Sequence, residues 1–340
     1  MLLITGACGY IGSHFLHHYL RLSDQSVVAV DNLVLGHVQS ITPDISSRVH
    51  FYQCDIGDKN AVADILKNHQ VDKVVHFAAS AYVGESQENP FKYFNNNIVQ
   101  SLALLEVMEQ AQVRDIVFSS TCASYGVPAR VPIDEEHHQL PINTYGVSKL
   151  AIEHSLRALA LARGFRYVLL RYFNAAGASA SSQIGESHAT ETHLIPLALV
   201  AAMGSGPALK VYGNDYETPD GTCIRDYVHV DDLADGHLKA LALFSAEKMP
   251  AAACVPGSDE RGAVFNLGTS KGASVLEVIN MVEKVTGKTV PYSFAPRRSG
   301  DPAVLTAVAD RARQVMGWEA RHDLESIVRT AFAWEQSRAY

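Results

Sequence analysis

Leu2-Leu3-Ile4-Thr5-Gly6-Ala7-Cys8-Gly9-Tyr10-Ile11-Gly12 is the stretch that decides how this chain folds. An apolar, strand-like run enters glycines spaced Gly-x-x-Gly-x-x-Gly, and the pattern turns helical over 11–21. Glycines allow a tight turn and close backbone approach, while the helix N-terminus offers free amides and its positive dipole end to a pyrophosphate. Taken alone, a glycine-rich turn without any ligand would read the same way. Asp31 shifts the balance. It closes the next strand candidate, 27–30, where a carboxylate holds ribose hydroxyls and repels a 2′-phosphate, which favours NAD over NADP.

Working outward, strand-like runs at 2–5, 27–30, 49–53, 73–77, 115–119 and 166–171 alternate with helical patterns at 11–21, 60–68, 90–110 and 145–163. Continuous apolar strands separated by helices indicate an α/β fold, a Rossmann-like doubly wound parallel sheet. After Asn174 the pattern becomes irregular, with glycine, serine and histidine through 177–188. A helix at 231–246 and a strand at 263–268 read as a return to the first sheet, so a smaller α/β substrate domain is expected to interleave with it. The expected division is approximately 1–173 with 226–266 for the cofactor, and approximately 174–225 with 267–340 for the substrate. Residues 251–262 read as a surface loop, and 274–286 and 322–336 as helices.

Chemistry concentrates at Tyr145 and Lys149, four apart at the start of a helix and so on one face, downstream of Ser119-Ser120-Thr121 at a strand end. An ammonium beside a phenol favours the phenolate, a proton acceptor for a substrate alcohol. A surface tyrosine with a solvated lysine has the same spacing; the strand-end hydroxyls and the nucleotide turn weigh against that reading. Asp55-Ile56 after the third strand, and Phe77-Ala78-Ala79 after His76 on the fourth, lie where open α/β sheets bind ligands.

The chain has 340 residues, 47% hydrophobic and 19% charged, with a net charge of -8. An acidic balance without a basic stripe argues against nucleic-acid binding. The longest apolar stretch, 194–203, is too short for a bilayer and contains Pro196. The N-terminus has no charged leader pattern, and the 5 scattered cysteines include no CxxC pair, so reduced thiols and a cytoplasmic location are expected. His14, His17 and His18 share one early helix that should carry a solvent face, and no metal is expected.

Several long stretches then point one way: Thr5-Gly-x-x-Gly-Tyr-Ile-Gly-Ser-His14, Val83-Gly-Glu-Ser86, Tyr145-Gly-x-Ser-Lys149, Arg171-Tyr-Phe-Asn174, Gly213-Asn-Asp-Tyr216, Arg225-Asp-Tyr-Val-His-Val230 and Ala295-Pro-Arg-Arg298. Over nearly its whole length the chain resembles the extended short-chain dehydrogenase/reductase family, in particular its UDP-glucose 4-epimerase branch. The resemblance implies Tyr145 as acid/base, Lys149 on the nicotinamide ribose and Thr121 on the sugar O4. It implies NAD contacts from Gly6, Gly9, Tyr10, Ile11, Gly12, Asp31, Asn32, Asp55, Ile56, Phe77, Ala78, Ala79, Asn96, Ser119, Tyr145, Lys149 and Phe173. UDP-sugar contacts are implied for Thr121, Tyr145, Asn174, His193, Leu194, Lys210, Val211, Tyr212, Arg225, Arg298, Asp301 and Leu305.

This sequence departs from the family in places. Threonine stands at 121 where serine is usual, histidine at 193 where some members have asparagine, and 77–81 lacks a lysine found in some. The implied activity is interconversion of UDP-glucose and UDP-galactose by C4 oxidation, rotation of the 4-keto sugar and re-reduction. UDP-N-acetylhexosamines are admitted because Leu305 is smaller than an aromatic gate. A homodimer through 90–110 and 145–163 is also implied. The alternatives are a UDP-pentose 4-epimerase, a 4,6-dehydratase and a catalytically silent NAD-binding regulator. Cys122-Ala123, where a dehydratase carries Asp-Glu, argues against dehydration.

Overall fold

The computed structural model describes residues 1–254, 260–298 and 300–340. Its central sheet contains β1 (Leu2–Thr5), β2 (Val27–Asp31), β3 (Val49–Gln53), β4 (Lys73–His76), β5 (Asp115–Thr121), β6 (Arg166–Tyr172) and β7 (Gly262–Leu267). They are hydrogen-bonded in the order β7-β6-β5-β4-β1-β2-β3, and every pairing is parallel. The near-continuous apolar strands of the sequence follow from this, because both sheet faces are covered. On β1, Leu2 and Ile4 join one apolar cluster with Phe15, Leu233 and Phe265, while Leu3 joins the other with Val74, Ile116 and Leu156. The strand order reverses between β1 and β4, and a crevice opens at their carboxyl ends.

The expected helices form at Tyr10–Leu22, Lys59–Asn68 and Thr144–Arg163. Asn143 caps the last, its Oδ1 accepting from Gly146 N at 2.8 Å, and left-handed Gly164 ends it. The expected 90–110 helix is not uniform: Pro90–Tyr93 and Gln100–Gln110 flank a π-helical turn at Phe94–Val99. That turn carries Asn97 inward, where its amide brackets Ser80 by accepting from the backbone N at 2.8 Å and donating to the backbone O at 2.9 Å. Polar backbone grips of this kind leave no apolar periodicity in the sequence.

Three readings change. The Tyr10–Leu22 helix buries His14 and His17, both against the expected solvent face, because it packs on the helix Val230–Ala242. Their rings are held by backbone carbonyls, His14 Nδ1 at 2.7 Å from Tyr10 O and His17 Nε2 at 2.9 Å from Ser40 O. The expected 231–246 helix stops at Ala242, followed by a short turn at Leu243–Ser245. Of the expected loop at 251–262, Ala251–Ala253 forms a turn whose Ala253 is buried in the core, and 255–259 lie outside the described residues.

A third apolar cluster lies beyond the sheet. It joins Ile195 and Leu199 of the helix Leu194–Met203, Val278 and Val282 of Val275–Thr286, and Val328 of Leu324–Ser337. Short strand pairs complete this part, with Leu209–Tyr212 beside Tyr292–Ala295 and Ile224–Arg225 between Ala273–Ser274 and Val304–Leu305. Among the described residues, no helix is long and apolar enough to cross a membrane.

Candidate active site

Gly6 adopts φ +67, and a Cβ there would lie 2.6 Å from Ala78 N, so only glycine lets β1 turn beneath the loop after β4. A Cβ on Gly12 would overlap the Gly6 carbonyl oxygen. Gly9 caps the following helix without a side-chain hydrogen bond, which leaves first-turn amides facing the crevice. Asp31 accepts from Cys8 N at 2.9 Å and Leu33 N at 2.8 Å, so its carboxylate is aimed at the turn. Burial pushes its pKa up against those two bonds.

Gly6, Gly9, Asp31, Asn32, Asp55, Ile56, Phe77, Ala78, Ala79 and Asn96 all line one cleft at this edge. A cleft lined by the glycine turn and by a carboxylate at the second strand fits a dinucleotide without a 2′-phosphate. The Tyr10 hydroxyl donates to Gly177 O at 2.6 Å. Phe173 packs in a small cluster with Cys122, Tyr125, Ile133 and Ala307, against which Leu305 rests.

Thr121 ends β5, and Tyr145 and Lys149 project from one face of the Thr144–Arg163 helix; all three are buried. Thr121 accepts from Ala123 N at 3.1 Å, and its hydroxyl favours the ionised form of the neighbouring Tyr145. Lys149 Nζ donates to Ser119 O at 2.8 Å and lies 4.9 Å above the Phe118 ring. The protein's own groups do not give the lowered phenol pKa that the sequence spacing suggests. Burial pushes Tyr145 up, and it pushes Lys149 down to about 7.

Behind these groups lies a network the sequence reading passed over. Arg171 donates to both oxygens of Glu153, at 2.9 and 2.6 Å, and to Tyr125 Oη at 3.0 Å. Ser120 Oγ donates to Glu153 at 2.5 Å, and Tyr125 Oη donates to Asn266 Oδ1 at 2.7 Å. Burial would raise the Glu153 pKa, but the Arg171 guanidinium overrides it and holds the carboxyl at about 2. The signal was available: Glu153 lies one further helical step from Lys149, on the same face. Asn97 adds a second brace, donating to Ser148 Oγ at 3.0 Å beside Lys149.

On the other wall, Arg225 meets Asp301, Asn174 Nδ2 donates to Asp226 O at 3.1 Å, and Arg298 lies 4.2 Å above the Tyr212 ring. Of the strand 209–212, Lys210 is exposed, Val211 is buried in the third cluster and Tyr212 is half-buried. Leu194 opens its helix, and His193 caps it with Nδ1 turned to Glu186. Glu186, His188 and Glu191 were not singled out in the sequence; only their spacing before the 194–203 helix could have drawn notice.

Residues 2–253 match the NAD dependent epimerase/dehydratase family. A UDP-glucose 4-epimerase of Streptococcus mutans serotype c is 44% identical over 338 residues, covering 99% of this chain and 97% of the relative. The structure of UDP-glucose 4-epimerase from Brucella ovis in complex with NAD superposes with a TM-score of 0.90 at 42% identity, covering 97% of each chain. The UDP-Glc/GlcNAc 4-epimerase from Campylobacter jejuni gives a TM-score of 0.84 at 39% identity, covering 99% of each chain. By sequence, fold and the geometry of its cleft, the chain belongs to the NAD dependent epimerase/dehydratase family, among its UDP-glucose 4-epimerases.

Proposed function

We propose that the protein interconverts UDP-glucose and UDP-galactose by oxidising C4, letting the 4-keto sugar turn, and reducing its other face. The observation that supports this reading is that Thr121 ends β5 and Lys149 of the following helix bonds Ser119 O there, on the strand next to β4, whose carboxyl-end loop lines the cleft. NAD, when bound, supplies the hydride acceptor and a cationic ring that favours the phenolate. Tyr145 takes the proton from O4 and later returns it, with Thr121 orienting the oxygen. Lys149 stays fixed by Ser119 O and by the brace from Asn97, and in this reading it reaches the nicotinamide ribose.

The same reading divides the chain into a cofactor lobe, approximately 1–173 with 226–266, and a sugar-nucleotide lobe, approximately 174–225 with 267–340. Arg225 and Arg298 are the diphosphate clamp, so the sugar turns without leaving. Asn174, His193, Leu194, Lys210, Val211, Tyr212 and Asp301 complete the UDP side, Val211 through its backbone because its side chain is buried. Leu305 packs against the cluster that includes Phe173 and Cys122 and, in this reading, flanks the sugar's C2 substituent, so UDP-N-acetylhexosamines are also substrates.

A homodimer in the cytoplasm completes the proposal. Phe91, Val99, Leu102, Val147 and Leu161 are exposed on the two helical segments expected to pair, and Cys8, Cys54, Cys122 and Cys223 are free thiols. Incubation with UDP-galactose, UDP-N-acetylgalactosamine and UDP-arabinose separately, with the products resolved, tests the activity. Epimers from the first two are expected. Turnover of UDP-arabinose alone would move the assignment to pentoses.

A further inference from the structure

Between the irregular segment after Ser179 and the helix Leu194–Met203, four donors spaced Glu-x-His-x-x-Glu-x-His converge. The ligating atoms of Glu186, His188, Glu191 and His193 all lie within 4.8 Å of one another. We propose that these side chains form a structural site for one divalent cation, zinc by its donor set. The inference stands apart from the epimerase reading but shares His193 with it: Nδ1 turns to the carboxylates, which leaves the residue's backbone, at the cap of the Leu194–Met203 helix, for the sugar nucleotide.

Geometry favours an ion over a plain charge cluster. His188 Nδ1 is 3.3 Å from Glu186 Oε1 and 3.3 Å from Glu191 Oε2, and His193 Nδ1 is 3.7 Å from Glu191 Oε1. Ligands at tetrahedral zinc, with bonds of about 2.0–2.1 Å, are separated by roughly 3.3–3.4 Å, close to these edges. His193 and Glu186 stand closer and would part to admit the ion. His188 Nδ1 is buried yet aligned for a hydrogen bond with neither carboxylate, so it faces the space between the donors without a proper partner. Glu186 is also buried, and its carboxylate faces both His193 and His188. Two imidazoles with two carboxylates are hard-to-borderline donors suited to zinc.

The backbone holding the donors is fixed in advance. Trp334 Nε1 donates to Glu186 O at 2.8 Å, Ser187 Oγ donates to Tyr340 O at 3.0 Å, and Arg338 Nη2 donates to Ser187 Oγ at 2.8 Å. Four protein ligands leave no open position, which is the pattern of a structural ion and not of a catalytic one. Its effect would be to tie the 186–191 segment to the first turn of the Leu194–Met203 helix.

Metal analysis of untagged, full-length protein, purified without chelator and desalted, tests the site. About one zinc per chain is expected, removable by chelation and restored by zinc alone with a rise in melting temperature. Glu186→Gln with His188→Gln should weaken zinc binding at least about tenfold, since loss of supporting groups alone costs 10–100-fold. His50→Gln with His69→Gln, at a neighbouring histidine pair elsewhere of which His50 is exposed and His69 half-buried, should leave it unchanged. Bound NAD and the circular dichroism spectrum establish that each variant is folded. A wild-type protein with less than roughly a tenth of a zinc per chain and no saturable zinc site would overturn the proposal. So would equal losses in the cluster and control variants.

Discussion

At the cofactor wall, Gly6, Gly9 and Gly12 fall within one turn, whereas at the sugar wall Arg225 meets Asp301 from 76 positions away. The first wall is shaped by main chain, with Gly6 and Gly12 where a side chain would collide with the backbone. The second is assembled from ion pairs and stacked guanidinium groups, which exchange partners readily. A cofactor held through a whole catalytic cycle suits the rigid wall, and a sugar nucleotide that enters and leaves suits the exchangeable one. In the proposed reading, Tyr145, Lys149 and Thr121 act where the two meet.

The largest expected effect lies at that meeting point. Tyr145→Phe should cost on the order of 10²–10⁴-fold in turnover, while bound NAD and UDP affinity stay near normal. Turnover close to wild type would show that the proton acceptor is elsewhere.

Support behind both walls comes next. Glu153→Gln leaves the Arg171 guanidinium buried without its counter-charge and should destabilise the fold by about 3–5 kcal/mol in denaturant titration. The pH dependence has a fixed sign. Because the folded Glu153 pKa is depressed to about 2 from its ordinary 4.5, its stabilisation is complete above 4.5 and is lost as pH falls from there toward 2. The variant should lose that part of its acid sensitivity.

Between the walls, Gly12→Ala and Arg298→Ala should separate binding of the two ligands. The alanine methyl group overlaps the Gly6 carbonyl, so protein purified with Gly12→Ala should retain little NAD. Arg298→Ala should keep its NAD and raise the UDP-sugar KM by about 10–150-fold, the loss of one charged hydrogen-bonding group. If both variants lost both ligands equally, the contrast between the walls would be wrong.

Smallest is the gate. Leu305→Tyr should reduce UDP-N-acetylhexosamine turnover about tenfold relative to UDP-hexose turnover, because only the larger substituent meets the ring. Equal effects on both sugars would remove Leu305 from that position.

The two walls also differed in how much the sequence disclosed. β1, the glycine turn and Asp31 lie within the first 31 residues, so local spacing identified the fold and its cofactor. Tyr145 and Lys149 were legible because one helical turn joins them. The sugar wall was reached through resemblance, since no periodicity links 174, 225, 298 and 301. Glu153 and Asn97 went unread for a different reason. A buried carboxylate and a π-helical asparagine look like surface residues until their partners, Arg171 and Ser80, fold against them. Spacing discloses the charge beside Tyr145 but not its burial, which pushes the phenol up when only the protein's own groups act on it.

In a redox-neutral cycle, hydrogen leaves C4 and returns to it. UDP-galactose deuterated at C4, incubated with the purified protein and no added cofactor, tests this most directly. UDP-glucose retaining the deuterium at C4 is the expected product. Loss of the label to solvent, or no conversion without stoichiometric NAD, would contradict the account.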